Sequence, residues 1–116
     1  TMSIRSEKVG GVIRELLAEI MRPIASELRA GLLTVTSVRV SPDLKHARVY
    51  VSAFGGKATT TDVIEYLENN KRKIRSQLAH KMTIRAVPDL QFFRDDTLDE
   101  MDAIHSLLDS VKKDEH

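Results

Sequence analysis

At 116 residues the chain has room for one hydrophobic core but not two, so a single domain is expected. With 41% hydrophobic and 30% charged residues it lies outside the range of disordered chains, and the absence of cysteine excludes disulfides, thiolate metal sites and thiol nucleophiles. The net charge of +1 conceals a polarity: residues 1–85 hold 15 Lys and Arg against 8 Asp and Glu, net +7, whereas residues 86–116 hold 3 against 9, net −6. Charges separated in this way act on partners independently. No apolar run approaches the roughly 20 residues needed to cross a bilayer, and no apolar signal-peptide core opens the chain. A cytoplasmic location with no membrane partner is therefore expected, with Met2 as the natural start and Thr1 an addition.

Val9, Val12, Ile13, Leu16, Leu17 and Ile20 recur at steps of three and four, which places them on one face of a first, amphipathic helix. Pro23 removes a backbone donor, so a kink or restart is expected near Met21 to Pro23, with Gly31 closing the region. The next run is rich in β-branched residues, and its apolar parity passes from odd (Leu33, Val35) to even (Val38, Val40). A bulge at Thr36 or Ser37 explains the change. Beyond the turn residues Ser41, Pro42 and Asp43, the series Ala47, Val49, Val51, Ala53 alternates with His46, Arg48, Tyr50, Ser52. The two runs form a hairpin with one face on the core.

Residues 55–61 read as a polar loop, with Thr61 or Asp62 the expected cap of a second helix. That helix buries Val63, Ile64, Leu67, Ile74, Leu78 and Met82, but its stripe fails at Asn69, Asn70 and Lys71, so two helical pieces joined by a kink are expected. Ile84, Ala86, Leu90 and Phe92 share one parity around Pro88, which confines a third strand to an edge or interrupts it. Thr97 and Glu100 form a capping box for a last helix with the apolar face Leu98, Met101, Ile104, Leu108 and Val111. The expected domain spans residues 5–111, and residues 112–116 are expected to fray.

Lys71, Arg72, Lys73, Arg75, Lys81 and Arg85 are six cations within fifteen residues that contain no acid. Phosphates attract such a cluster through counterion release; the alternative is a solvated helix face. The broken apolar stripe would leave helix-start amides beside these cations, and Lys8 and Arg14 add charge on the first helix. RNA is the favoured ligand. With only five Phe and Tyr residues available for stacking, contact is expected mainly with the RNA backbone and its shape rather than with splayed bases.

Other chemistry finds little support. Asp95, Asp96 and Asp99 spell D-D-x-x-D, but acids at a helix start are what its dipole favours, and no second such motif exists. Gly56-Lys57 lacks the first Gly and the Ser or Thr of a phosphate loop, and the four His are scattered without metal-ligand spacing or a Ser-His-Asp set. No catalytic residue, cofactor or metal is expected.

The order helix, strand, strand, helix, kink, helix, strand resembles a type II KH domain, an α+β RNA-binding module with a three-stranded mixed sheet, here with an added C-terminal helix. Its usual G-x-x-G loop is replaced by Asn69-Asn70-Lys71-Arg72. The stretch Thr34-Val35-Thr36-x-Val38-x-Val40-Ser41-x-Asp43-Leu44-x-x-Ala47-x-Val49-Tyr50-Val51-Ser52 is similar to the signature of the ribosome-binding factor A family. So are Ile74-Arg75-x-x-Leu78 and Arg85-x-x-Pro88-x-Leu90-x-Phe92-x-x-Asp95, and the resemblance covers about Arg5 to Leu108. Members of that family carry Ala-x-Gly at the kink, where this chain has Asn70-Lys71-Arg72.

The resemblance implies a non-enzymatic bacterial factor that binds free 30S subunits and 16S rRNA near its 5′-terminal helix. It implies support of late assembly, 16S processing and cold adaptation, release involving a ribosome-dependent GTPase, and a monomer. The matched polar residues are Arg75 and Arg85, which either bind phosphate or pair with acids of the domain, and Ser41 and Asp43 in the turn. Two other readings stay open: a KH-like regulator of messenger or transfer RNA, and an adaptor acting through the acidic C-terminal helix.

Overall fold

The computed structural model describes residues 4–83 and 87–95, and within them the order is α1 (Ile4–Leu28), β1 (Gly31–Val40), β2 (His46–Gly55), α2 (Thr60–Asn69), α3 (Lys71–Lys81) and β3 (Asp89–Arg94). The sheet order is β1-β2-β3; β1 and β2 are antiparallel, whereas β3 runs parallel to β2 after the α2–α3 crossover. This is the α+β, three-stranded mixed arrangement that the sequence pattern implied. The C-terminal helix expected from Thr97 and the expected strand positions Ile84 and Ala86 lie outside the described residues.

α1 buries Ser6, Gly10, Ile13, Leu17, Ile20, Met21 and Ile24, an unbroken three-and-four pattern. Four of these, Ser6, Gly10, Met21 and Ile24, lie outside the apolar series read from the sequence. Gly10 is buried because α1 passes so close to β1 that a Cβ there would sit 3.0 Å from the Val38 carbonyl oxygen. Conversely Val12, placed on the apolar face by spacing, is exposed. Pro23 neither ends the helix nor makes it restart, because buried Met21 and Ile24 hold both sides of the missing donor in place. The helix closes at Arg29 (φ 55), whose carbonyl accepts from Lys57 N (2.7 Å) and Ala58 N (3.2 Å).

The hairpin has its register shift between Val35 and Ser37, which makes Thr36 the extra residue. The bulge swaps parity, so Val35 before it and Val40 after it both reach the core with Ala47, Val49 and Val51. Ser41 and Asp43 have a structural task in the turn. Ser41 Oγ donates to Asp43 Oδ1 (2.6 Å), which also accepts from Lys45 N (3.1 Å), and His46 N donates to Ser41 Oγ (3.1 Å). The Ser41 hydroxyl, with the Lys45 amide, holds the Asp43 carboxyl below its ordinary value.

The second helix begins earlier than Thr61 or Asp62. Thr59 is the N-cap and forms a reciprocal box with Asp62, in which Asp62 N donates to Thr59 Oγ1 (3.1 Å) and Thr59 N to Asp62 Oδ2 (2.9 Å). Thr60, buried, instead bridges both backbone groups of Ala53 and joins the helix start to β2. Val63, Leu67, Ile74 and Leu78 then face Val49, Val51, Leu90 and Phe92 in one core, with all three helices on the same side of the sheet. The other side carries no described helix.

Candidate nucleic-acid interface

The kink is made by Asn70. The Tyr66 carbonyl accepts both its backbone N–H (3.0 Å) and its side-chain Nδ2 (2.8 Å), so Asn70 closes α2 rather than capping α3. Its φ of −111° and ψ of 17° leave the helical path. α3 consequently starts with no side-chain cap and no acid in its first turn, so the partial positive charge of its amides stands uncompensated at Lys71 to Lys73.

The sequence cluster does not form one cationic face. Ile74 and Leu78 anchor α3 in the core, and at about 100° per residue Lys71 and Arg75 flank that stripe on one side. Lys81 flanks the other, while Arg72 and Lys73 point away from it.

Each flanking cation has an internal partner. Lys71 Nζ lies 2.5 Å from Glu68 Oε2 and 6.0 Å from the centre of the Phe92 ring, while Glu68 Oε1 accepts the Phe92 N–H (3.0 Å). Burial works to raise the Glu68 carboxyl, but the Lys71 ammonium and the Phe92 amide outweigh it and hold the group below its ordinary value. Arg75 donates through Nη2 to the Val87 carbonyl (2.7 Å) and approaches Asp89 Oδ1 through Nη1 (3.3 Å). Both cations therefore fasten α3 to the outer edge of β3, where a strand's unpaired backbone groups need cover. Lys81 Nζ is 3.8 Å from Glu19 on α1.

Arg72 and Lys73 are exposed and have no ion pair among the described residues, although Lys73 shares a cleft with Glu27. Lys8 and Lys81 line a shallow depression with Val9, Val12 and Met82, which extends the basic surface from the end of α3 to the start of α1. Arg14 does not join it: its Nε donates to the Val35 carbonyl (3.3 Å), so it lies over β1. Lys8 and Arg14, both on α1, thus lie in different surroundings. Arg85 lies outside the described residues.

Sequence reasoning missed Glu68 and the dual hydrogen bonding of Asn70. The spacing Glu68 to Lys71 was a usable signal, since residues three apart are neighbours on a helix, but the contact of Glu68 with β3 had no local trace. No group of three or more His, Asp or Glu converges among the described residues.

Residues 5–108 match the family model described as Ribosome-binding factor A. The chain is 36% identical over 113 residues to ribosome-binding factor A of Macrococcus caseolyticus, covering 97% of this chain and 99% of that relative. It is 41% identical over 115 residues to the Chlorobaculum tepidum protein of the same name, covering 96% and 93%. The crystal structure of ribosome-binding factor A from Thermus thermophilus superposes with a TM-score of 0.65 at 28% identity, over 77% of this chain and 94% of that one. Coordinates of the Thermus thermophilus factor fitted into a cryo-electron microscopy map of a 30S complex give a TM-score of 0.51 at 30% identity, over 72% and 94%.

Proposed function

Because the chain belongs to the ribosome-binding factor A family, we propose that it binds free 30S ribosomal subunits as a non-catalytic factor, through 16S rRNA near its 5′-terminal helix. In this reading it acts in the cytoplasm as a monomer, supports late assembly and 16S processing, including in the cold, and is released with a ribosome-dependent GTPase. The observation that carries the rRNA contact is the start of α3. Arg72 and Lys73 are exposed and unpaired among the described residues, beside amides that no side chain caps. Both features favour phosphate, one by charge and one by directed donors. Lys8 with Lys81 extends the contact, and Arg85 remains a candidate. Lys71, Arg75 and Lys81 contribute less per charge, since each faces a carboxylate of its own fold. The support from relatives is the 30S complex into which the Thermus thermophilus factor was fitted.

Sedimentation of cell extract through a sucrose gradient tests the reading. The chain should migrate with free 30S subunits and be absent from 70S particles. Recovery at the top of the gradient together with tight binding of short single strands would instead favour a messenger or transfer RNA regulator. Association that survives ribonuclease digestion would point to the protein adaptor.

A further inference from the structure

The face of the sheet turned away from the helices has its own chemistry. Arg39 on β1, His46, Arg48 and Tyr50 on β2, and Gln91 and Phe93 on β3 share this face, because each alternates with a core residue on its strand. Arg39 and Arg48 are register partners, directly opposite one another, and both are exposed. Neither makes an ion pair or side-chain hydrogen bond among the described residues. Like charges placed opposite each other work against the sheet, so an anion here would relieve a cost that the folded chain otherwise carries. Among the described residues, the acids of the neighbouring turn and of β3 with its end have other partners. Asp89 faces Arg75, Asp43 is held by the turn, and the carboxylate of Asp95 accepts the hydroxyl of the bulged Thr36.

Two register positions from Arg48, and so on the same face, the rings of Tyr50 and Phe93 stack with centroids 5.5 Å apart and an interplanar angle of 28°. Phe93 is 38% exposed, so its ring keeps an open side. Beside the aromatic pair, Arg39, His46, Arg48 and Gln91 line a depression, which places guanidinium groups and an amide next to a ring platform. Exposed rings with adjacent arginines bind single-stranded nucleic acid by base stacking and phosphate contact.

We propose that this face, turned away from the described helices, is a second RNA-binding surface, on which an unpaired RNA segment stacks a base against the Tyr50–Phe93 pair while Arg39 and Arg48 hold its phosphates. The proposal rests on the reading that the chain binds ribosomal RNA, and it adds a second point of contact. The start of α3 and this face lie on opposite sides of the sheet, so one chain can be held between two RNA elements of a folded particle. The scarcity of aromatic residues does not argue against stacking, because parallel pairing of β2 and β3 brings two of them together.

Binding of the intact chain to a single-stranded oligouridylate of about twelve nucleotides, read by fluorescence anisotropy over a salt series, tests the proposal. Arg39→Gln with Arg48→Gln should weaken binding roughly ten-fold or more and flatten the salt slope by about 1.4, from about 0.7 per phosphate contact on single strands. Phe93→Leu should weaken binding roughly ten-fold while leaving the salt slope unchanged. All three substitutions are at exposed positions, and a cooperative thermal transition close to that of wild type confirms that the variants fold. Wild-type affinity in both variants would overturn the proposal, as would weakening confined to the arginine variant, which removes the stacking step. Binding of the same variants to isolated 30S subunits separates the two surfaces. If Arg72→Gln with Lys73→Gln also leaves 30S binding untouched, the broader rRNA reading fails; if only Arg39 and Arg48 prove silent, this inference alone fails.

Discussion

Two basic regions of this molecule differ in how their charge is assembled. In α3 the cations are adjacent in sequence, yet folding disperses them around the helix and gives Lys71, Arg75 and Lys81 carboxylate partners. On the sheet face turned away from the described helices Arg39 and Arg48 stand nine positions apart on two strands, yet the hairpin register sets them side by side with no partner among the described residues. A run of charge along a chain is therefore a poor guide to charge density in space. What decides is whether each cation also serves the fold.

That contrast can be broken most forcefully at the anchor of α3. Leu78 is fully buried, and Leu78→Ala should lower stability by about 2–5 kcal/mol, through lost transfer energy and the cavity left behind. Urea denaturation measures it. A loss below about 1 kcal/mol would mean that α3 is not held by its buried stripe, and the assignment of its cations to inner and outer positions would fail.

Glu68 sharpens the comparison next. Glu68→Ala strips the Phe92 N–H of its partner and should cost about 1–3 kcal/mol by the same measurement, because a shielded donor is left unmet. The acid dependence has a definite sign. Since the folded-state value is depressed, the stabilisation from Glu68 is fully present above the unfolded value of about 4.3 and is lost as pH falls through the lower, folded value. The Glu68→Gln variant should thus lose less stability than wild type on acidification below that point. Parallel acid limbs for the two proteins would contradict the assignment.

Smaller effects of opposite sign separate the two kinds of arginine. Arg75→Ala removes a donor to Val87 and a partly exposed ion pair, so thermal unfolding should register a loss of at most about 1 kcal/mol. Neutralising Arg39 and Arg48 together should instead raise stability by a few tenths of a kcal/mol, since cross-strand repulsion is relieved. Equal signs would erase the distinction between structural and available charge.

The hairpin, its bulge at Thr36 and the break near Asn70 were legible because each is a local pattern: a change of parity in one case and poor helix formers in the other. The capping position was misread because three consecutive threonines offer the same chemistry, and only the bridge from Thr60 to Ala53 decides which one begins the helix. Of the kink or restart expected at Pro23 the restart does not occur, for a related reason, since tertiary packing around Met21 and Ile24 outweighs one lost donor. At the candidate interface, residue types were legible but not their partners. Whether Arg75 meets solvent or Asp89 depends on how α3 lies across the edge of β3, a contact between residues fourteen positions apart that no periodicity encodes.

On the proposed reading, the cations at the start of α3 that have no ion pair among the described residues meet ribosomal phosphates, whereas the paired ones chiefly serve the fold. Salt dependence of binding to purified 30S subunits tests it most directly, comparing Arg72→Gln with Lys73→Gln against wild type. The slope should be smaller by roughly 1.4 to 1.8 units in a variant whose stability stays within about 0.5 kcal/mol of wild type. A folded variant with the wild-type slope would contradict it.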